Sequence, residues 1–307
     1  MVFRPMERLL RARFLILAVV AGVVIVGIVY FRLRKPTLEP EAGKPIVAAT
    51  IYPLYDMARN VAGDAARVKL IVPPGASPHL FEFSPRQLQA LQNVRAVFAI
   101  GHGLDNWVTQ VTNVVKGASV IVVDRGIDLR TFEDGTTDPH YWLNFGNAQK
   151  ITDNIAKALI EIDPAHADVY RENARAYKDN LAEKERELKA VLAPAQAIPM
   201  LTFHHAWFYF AENFGLKIAG TFEPAAGEEP TSRYLAELQQ KIRTEHIHII
   251  FIEPQISSAV LKSFAKDNDV NIAELDPLGG EEGRTTYLEL MEFNADSIRR
   301  ALLERGP

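Results

Sequence analysis

The chain has 307 residues, 48% of them hydrophobic, a formal net charge of -4 and no cysteine. That length suits two lobes rather than one ordinary domain, and the mild acidity with dispersed Lys and Arg excludes an electrostatic footprint for nucleic acid. Without cysteine there can be no disulfide, no thiolate ligand and no cysteine-borne lipid, so any bound metal is held by nitrogen and oxygen.

The first element is the uncharged run 14–31 (FLILAVVAGVVIVGIVYF). At ~1.5 Å per residue it spans about 27 Å, close to the hydrocarbon thickness of a bilayer. No small-x-small pair at its end marks a cleavage site, so residues 1–35 read as a cytoplasmic stub and an uncleaved transmembrane anchor. Arg4, Arg8, Arg11 and Arg13 precede the span, whereas Arg32, Arg34 and Lys35 follow it. This slight bias places the remainder outside the cell membrane, on the periplasmic or external side. Residues 36–45 (PTLEPEAGKP) suit a short extended tether.

Residues 46–146 read as a first lobe. The runs 46–52, 68–72, 94–100 and 118–123 are short, continuous and rich in β-branched residues, the pattern of strands buried on both faces of a parallel sheet. Helical stretches lie between them, one opening with Ser84 as N-cap and Pro85 at the first helical position. Residues 147–193 carry two connecting helices, from Asn147 to Ile162 and from Asp163-Pro164 to about Leu192. In the second, Tyr170, Ala174, Tyr177, Leu181, Leu188 and Val191 form one apolar stripe, predicting a rigid strut about 40 Å long at ~1.5 Å per residue. Residues 194–307 read as a second βα lobe, with strands at 198–203, 216–220, 246–252 and 271–275 and helices over 208–214, 231–243 and 257–267. The expected fold class is thus α/β: two βα lobes with mostly parallel sheets, joined by a long rigid helix and preceded by the N-terminal transmembrane helix.

Four residues follow these strands and carry metal-binding chemistry: His79, His140, His204 and Asp276. Ligands of open α/β sheets gather outside the carboxyl ends of the strands, and these residues fall there, two from each lobe. Three imidazoles and a carboxylate complete a tetrahedral shell for a borderline-soft divalent ion such as Zn²⁺. His102, between two glycines, is a candidate cleft or outer-shell group. His205 points about 100° away from His204 on a helix start and is not expected to ligate with it. His166 reads as solvated, and His246 and His248 as structural.

The segments SPHLFEFSP, GHGLDNW, DPHYWL, FHHAWFYFAENFGL, IFIEPQISS and ELDPLGG, in this order, resemble the metal-binding solute-receptor proteins of zinc and manganese ABC importers, the zinc-receptor type in particular. The resemblance runs from about Ile46 to the C-terminus. It places His79, His140, His204 and Asp276 on metal-ligand positions, makes Glu253 an outer-shell or lobe-contact residue, and implies an ion, Zn²⁺ or alternatively Mn²⁺, held between the lobes as transported cargo. It also implies an ABC permease and its ATPase as partners. The segment 125–138 lacks the histidine-rich insertion of many zinc receptors, and Asn144-Phe145 stands where that type often has Asp-Pro.

A closed four-ligand shell leaves no position for an activated water, so the expectation is a receptor and not an enzyme. Two other readings compete. One is a membrane-anchored metallohydrolase using Glu253 or Asp105 as base, for which no HExxH helix or nucleophile elbow is present. The other is an adhesin whose metal is structural.

Overall fold

The structure, a computed structural model, describes residues 43–132, 134–224, 227–255 and 259–304. The expected anchor, residues 14–31, and residues 36–42 of the expected tether lie outside them. No helix among the described residues is long and apolar enough to cross a membrane.

The first sheet contains β1 (Ile46–Ala49), β2 (Arg67–Leu70), β3 (Val94–Ala99) and β4 (Ser119–Val122), in the order β2-β1-β3-β4. Every pairing in it is parallel. Its two inner strands, β1 and β3, are mostly apolar without alternation because both faces are covered, whereas the edge strands β2 and β4 are partly exposed. Val47, Ala49, Ala96 and Phe98 point into one apolar cluster, while Ala48, Val97 and Ala99 point into another on the opposite face. Between the strands lie α1 (Tyr52–Ala62), α2 (Pro85–Ala90) and α3 (Thr109–Val114). Ser84 caps α2 in a full capping box with Gln87.

α4 (Phe145–Ile162) begins two residues earlier than Asn147 because the Asn144 side chain accepts from Asn147 N at 3.1 Å. A 3₁₀ turn, Pro164–His166, then leads into α5 (Ala167–Leu192). Its 26 residues span about 39 Å at ~1.5 Å per residue. The predicted stripe is buried, with Leu192 taking the place of the half-buried Val191.

The second sheet repeats the plan with β5 (Pro199–Thr202), β6 (Lys217–Thr221), β7 (Ile249–Ile252) and β8 (Asn271–Glu274), in the order β6-β5-β7-β8 and again parallel throughout. The helices are α6 (Phe208–Phe214), α7 (Ser232–Glu245), α8 (Ala259–Asp267) and α9 (Tyr287–Leu303). β7 is shorter than the run 246–252 suggests, because His246 ends α7 in the left-handed conformation (φ 54°) with its N–H returned to Ile242 O. No strand or helix is predicted beyond residue 275. There α9 follows, opened by a Thr286–Glu289 capping box and burying Tyr287, Leu290, Met291 and Ile298.

From Pro45 onward the chain is one compact unit. A single apolar cluster takes in β1, β3, the α5 stripe, Trp142, Phe145, Tyr209, Phe210 and Tyr287, so the core passes through both sheets' inner faces.

Candidate metal site

His79 lies in a 3₁₀ turn, Pro78–Leu80, after β2. Trp107 fixes that turn by donating its indole N–H to Pro78 O at 2.8 Å, and Phe81 and Phe83 pack on the same indole. His140 follows Asp138-Pro139. The fully buried Asp138 carboxylate accepts from His140 N at 3.0 Å and lies 2.8 Å from His140 Nδ1. The next residues fold into a 3₁₀ turn in which Tyr141 donates to Ile100 O and Trp142 Nε1 to Pro277 O, each at 2.8 Å. His204 follows β5, and its Nδ1 is 2.7 Å from Glu253 Oε1 in an ion-pair contact that lacks hydrogen-bond geometry. Trp207 Nε1 donates to the same Glu253 oxygen at 3.2 Å.

The three imidazoles converge. His79 Nε2 and His140 Nε2 are 3.4 Å apart, and one ring nitrogen from each of His79, His140 and His204 lies within 4.8 Å of the other two. Two of the rings have their outer nitrogen against a buried carboxylate. At His140 the hydrogen bond to Asp138 fixes the tautomer and leaves Nε2 for the common point, as in the carboxylate–histidine pairs behind metal ions, while at His204 Glu253 stands behind Nδ1 as a charge contact. His204 Nε2 is buried with no hydrogen-bond partner among the described residues. A cavity of about 270 Å³ opens over the cluster, lined by His79, His140, His204, Glu223, Glu253 and Gln255 among others.

Burial holds the His79 imidazole down at about 3, with the neighbouring His140 and His204 adding to the effect. Burial also lowers His140, against the opposing pull of Asp138. His204 moves the other way: burial disfavours its charge, but Glu253, Glu223 and Asp138 together outweigh that and raise it. Neutral imidazole is the form that ligates, so burial keeps His79 and His140 ready to bind, whereas the carboxylates around His204 favour its protonated form and oppose binding there.

Asp276 is buried after β8 but is not in the set of mutually close ligand atoms. Its Oδ1 accepts from Gln255 Nε2 and Leu278 N, both at 2.9 Å, and its Oδ2 is 3.3 Å from Arg284 Nε. His102 and His205 are also outside the set: His102 Nε2 pairs with Asp124 at 2.8 Å, and His205 lies against Thr221 and the Phe132 ring. His166 is half-exposed and paired with Asp163. The base candidates are occupied. Asp105 is buried and accepts from Thr50 Oγ1, Ile100 N and Gly101 N, while Glu253 faces His204 and Trp207. Asp138, Gln255 and Arg284 also belong to the surroundings of the site, although no motif marks them as such. Asp138 was legible, two residues before His140 and across a proline, whereas Gln255 and Arg284 carry no local signal.

The family model described as the periplasmic zinc-uptake complex component A matches residues 47–301. The iron-binding protein YfeA of Yersinia pestis is 30% identical over 264 residues, covering 83% of this chain and 85% of its own. The manganese-binding lipoprotein MntA of Halalkalibacterium halodurans is 28% identical, covering 86% and 91%. A crystal structure of ZnuA superposes with a TM-score of 0.78 at 27% identity, over 84% of this chain and 99% of that one. With this match, two parallel-sheet lobes and three convergent imidazoles between them, the chain belongs to the ZnuA family of metal ABC transporter substrate-binding proteins.

Proposed function

We propose that this protein captures Zn²⁺ outside the cell membrane, between its two lobes, and delivers it to an ABC permease driven by a cytoplasmic ATPase. His79, His140 and His204 hold the ion, and Asp276 is the fourth donor through Oδ2. The run 14–31 anchors the receptor in the membrane, in place of the lipid that a chain without cysteine lacks. The observation that carries the reading is the convergence of three imidazole nitrogens within 4.8 Å of one another, two of them braced from behind by buried carboxylates. Imidazole-rich donor sets suit zinc better than manganese, which prefers carboxylate and water oxygen. A four-donor shell with no exchangeable position holds cargo and does not activate water.

Titration of the metal-stripped full chain in detergent with Zn²⁺ is expected to saturate at one ion per chain, with His140→Ala and Asp276→Ala each weakening retention. If neither substitution weakens it, the site is wrongly assigned. The manganese reading has support in the naming of the Halalkalibacterium halodurans relative. It takes over if Mn²⁺ displaces Zn²⁺ at equal concentration.

A further inference from the structure

Asp276 has one committed oxygen and one free one. Oδ1 takes two hydrogen bonds, from Gln255 and from the Leu278 backbone. Oδ2 is buried with no hydrogen bond, and faces Arg284 Nε, which is likewise buried without one, at 3.3 Å. The rest of the guanidinium is engaged: Nη1 lies 2.6 Å from Glu274, Nη2 lies 2.9 Å from Glu281, and its carbon sits 4.4 Å over the Phe293 ring. Among the described residues, Arg284 is the only cation that forms an ion pair with Asp276.

We propose that Arg284 is a positioning residue that stands in for the ion's charge on Asp276. In the metal-free protein it neutralises the buried carboxylate, and in the loaded protein it yields Oδ2 to the metal. The inference rests on the reading of Asp276 as the fourth donor. A carboxylate this deeply buried requires a counter-charge. A contact that is charge to charge, without a hydrogen bond, supplies one while leaving the oxygen's lone pairs undirected. Arg284 can give up Asp276 without being stranded, because Glu274 and Glu281 keep it paired, and both are partly solvated.

Arg284 and the metal therefore compete for the same oxygen, and the work of parting Oδ2 from Arg284 is subtracted from every binding event. The receptor consequently binds its cargo less tightly than its donors alone would allow. This matters for a protein that must also release.

The test is the Zn²⁺ dissociation constant of the full chain, measured at pH 8 by competition with a chelator. Arg284→Met is expected to tighten binding by about tenfold, within the usual span of coupling between two sites. Arg284→Lys, which keeps the charge but not the fork, should tighten it by a smaller factor. In an Asp276→Asn background, Arg284→Met should change affinity no more than about twofold, since there is nothing left to compete for. Thermal melting separates this from a merely structural role: the substitution should lower the melting temperature of the metal-free form more than that of the loaded form.

Unchanged or weaker binding in Arg284→Met overturns the inference. If that variant does not fold, the same result in Arg284→Lys does so. Tightening that persists in the Asp276→Asn background also overturns it. Absence of Zn²⁺ binding in the unsubstituted chain would instead overturn the functional reading itself.

Discussion

His204 and Glu253 make the site sensitive to pH in a particular direction. Glu253, with Glu223 and Asp138 behind it, raises the His204 imidazole despite burial, whereas His79 is held at about 3 and His140 is lowered. A raised imidazole keeps its proton until the pH passes its own value, so metal competes with a proton at His204 and not at the other two rings. Affinity should therefore fall as pH drops through and below the raised His204 value, with about one proton displaced per ion across that step. Glu253→Gln removes the largest raising influence and should move the break to lower pH, as read from Zn²⁺ affinity across pH 5 to 8. An unmoved break would show that another ring titrates. The three histidines were legible in the sequence because each follows a strand at the edge where parallel sheets bind ligands. The competition over Asp276 was not, because Arg284 lies eight residues downstream in a loop whose fold no pattern announces.

The elements were largely legible, since strands covered on both faces read as unbroken apolar runs and α5 shows its stripe. Their ends were less so. The strand signal of 46–52 continues through residues that instead start α1, where Thr50 turns to bond Asp105 and Pro53 sits in the first turn. His246 likewise breaks its run by adopting a backbone conformation that asymmetric residues seldom occupy. The Leu278-Gly279-Gly280 loop illustrates a constraint seen only in three dimensions. Gly280 has φ 91°, and a Cβ there would meet the Tyr52 ring at 2.7 Å and Pro74 at 2.8 Å, both in the first lobe. Gly280→Ala should therefore destabilise the protein by more than about 1 kcal/mol and loosen metal binding with it, because the same loop carries Leu278, whose N–H holds Asp276. Denaturant unfolding and a Zn²⁺ titration of the variant check both effects.

At the scale of the molecule, two lobes were legible but their common core was not: an apolar stripe tells which face is buried, not against what. Polar bonds cross between the lobes inside that core. Tyr287 donates its hydroxyl to Trp142 O at 2.8 Å and its backbone N–H to Asp56 Oδ2 at 2.9 Å. Tyr177 also donates to Asp56 Oδ2, at 3.4 Å. Burial raises the Asp56 carboxyl above its ordinary range, against these hydrogen bonds. A folded state that binds the proton more tightly than the unfolded one has its full Asp56 contribution below the ordinary carboxylate range, and loses it as pH rises through the raised value. Asp56→Asn cannot ionise, so its stability relative to the unsubstituted chain should increase with pH across that window and then level off. Urea unfolding at pH 4, 6 and 8 measures the trend, and a difference that shrinks with pH would contradict it.

All 3 tryptophans of the chain touch the machinery around the cavity. Trp107 secures the turn bearing His79, Trp142 lies 5.3 Å from the His140 ring, and Trp207 donates to the carboxylate behind His204. No indole elsewhere contributes background emission. Intrinsic tryptophan fluorescence is therefore expected to follow occupancy of the crevice without any added dye, and emission that does not change during a Zn²⁺ titration would contradict this.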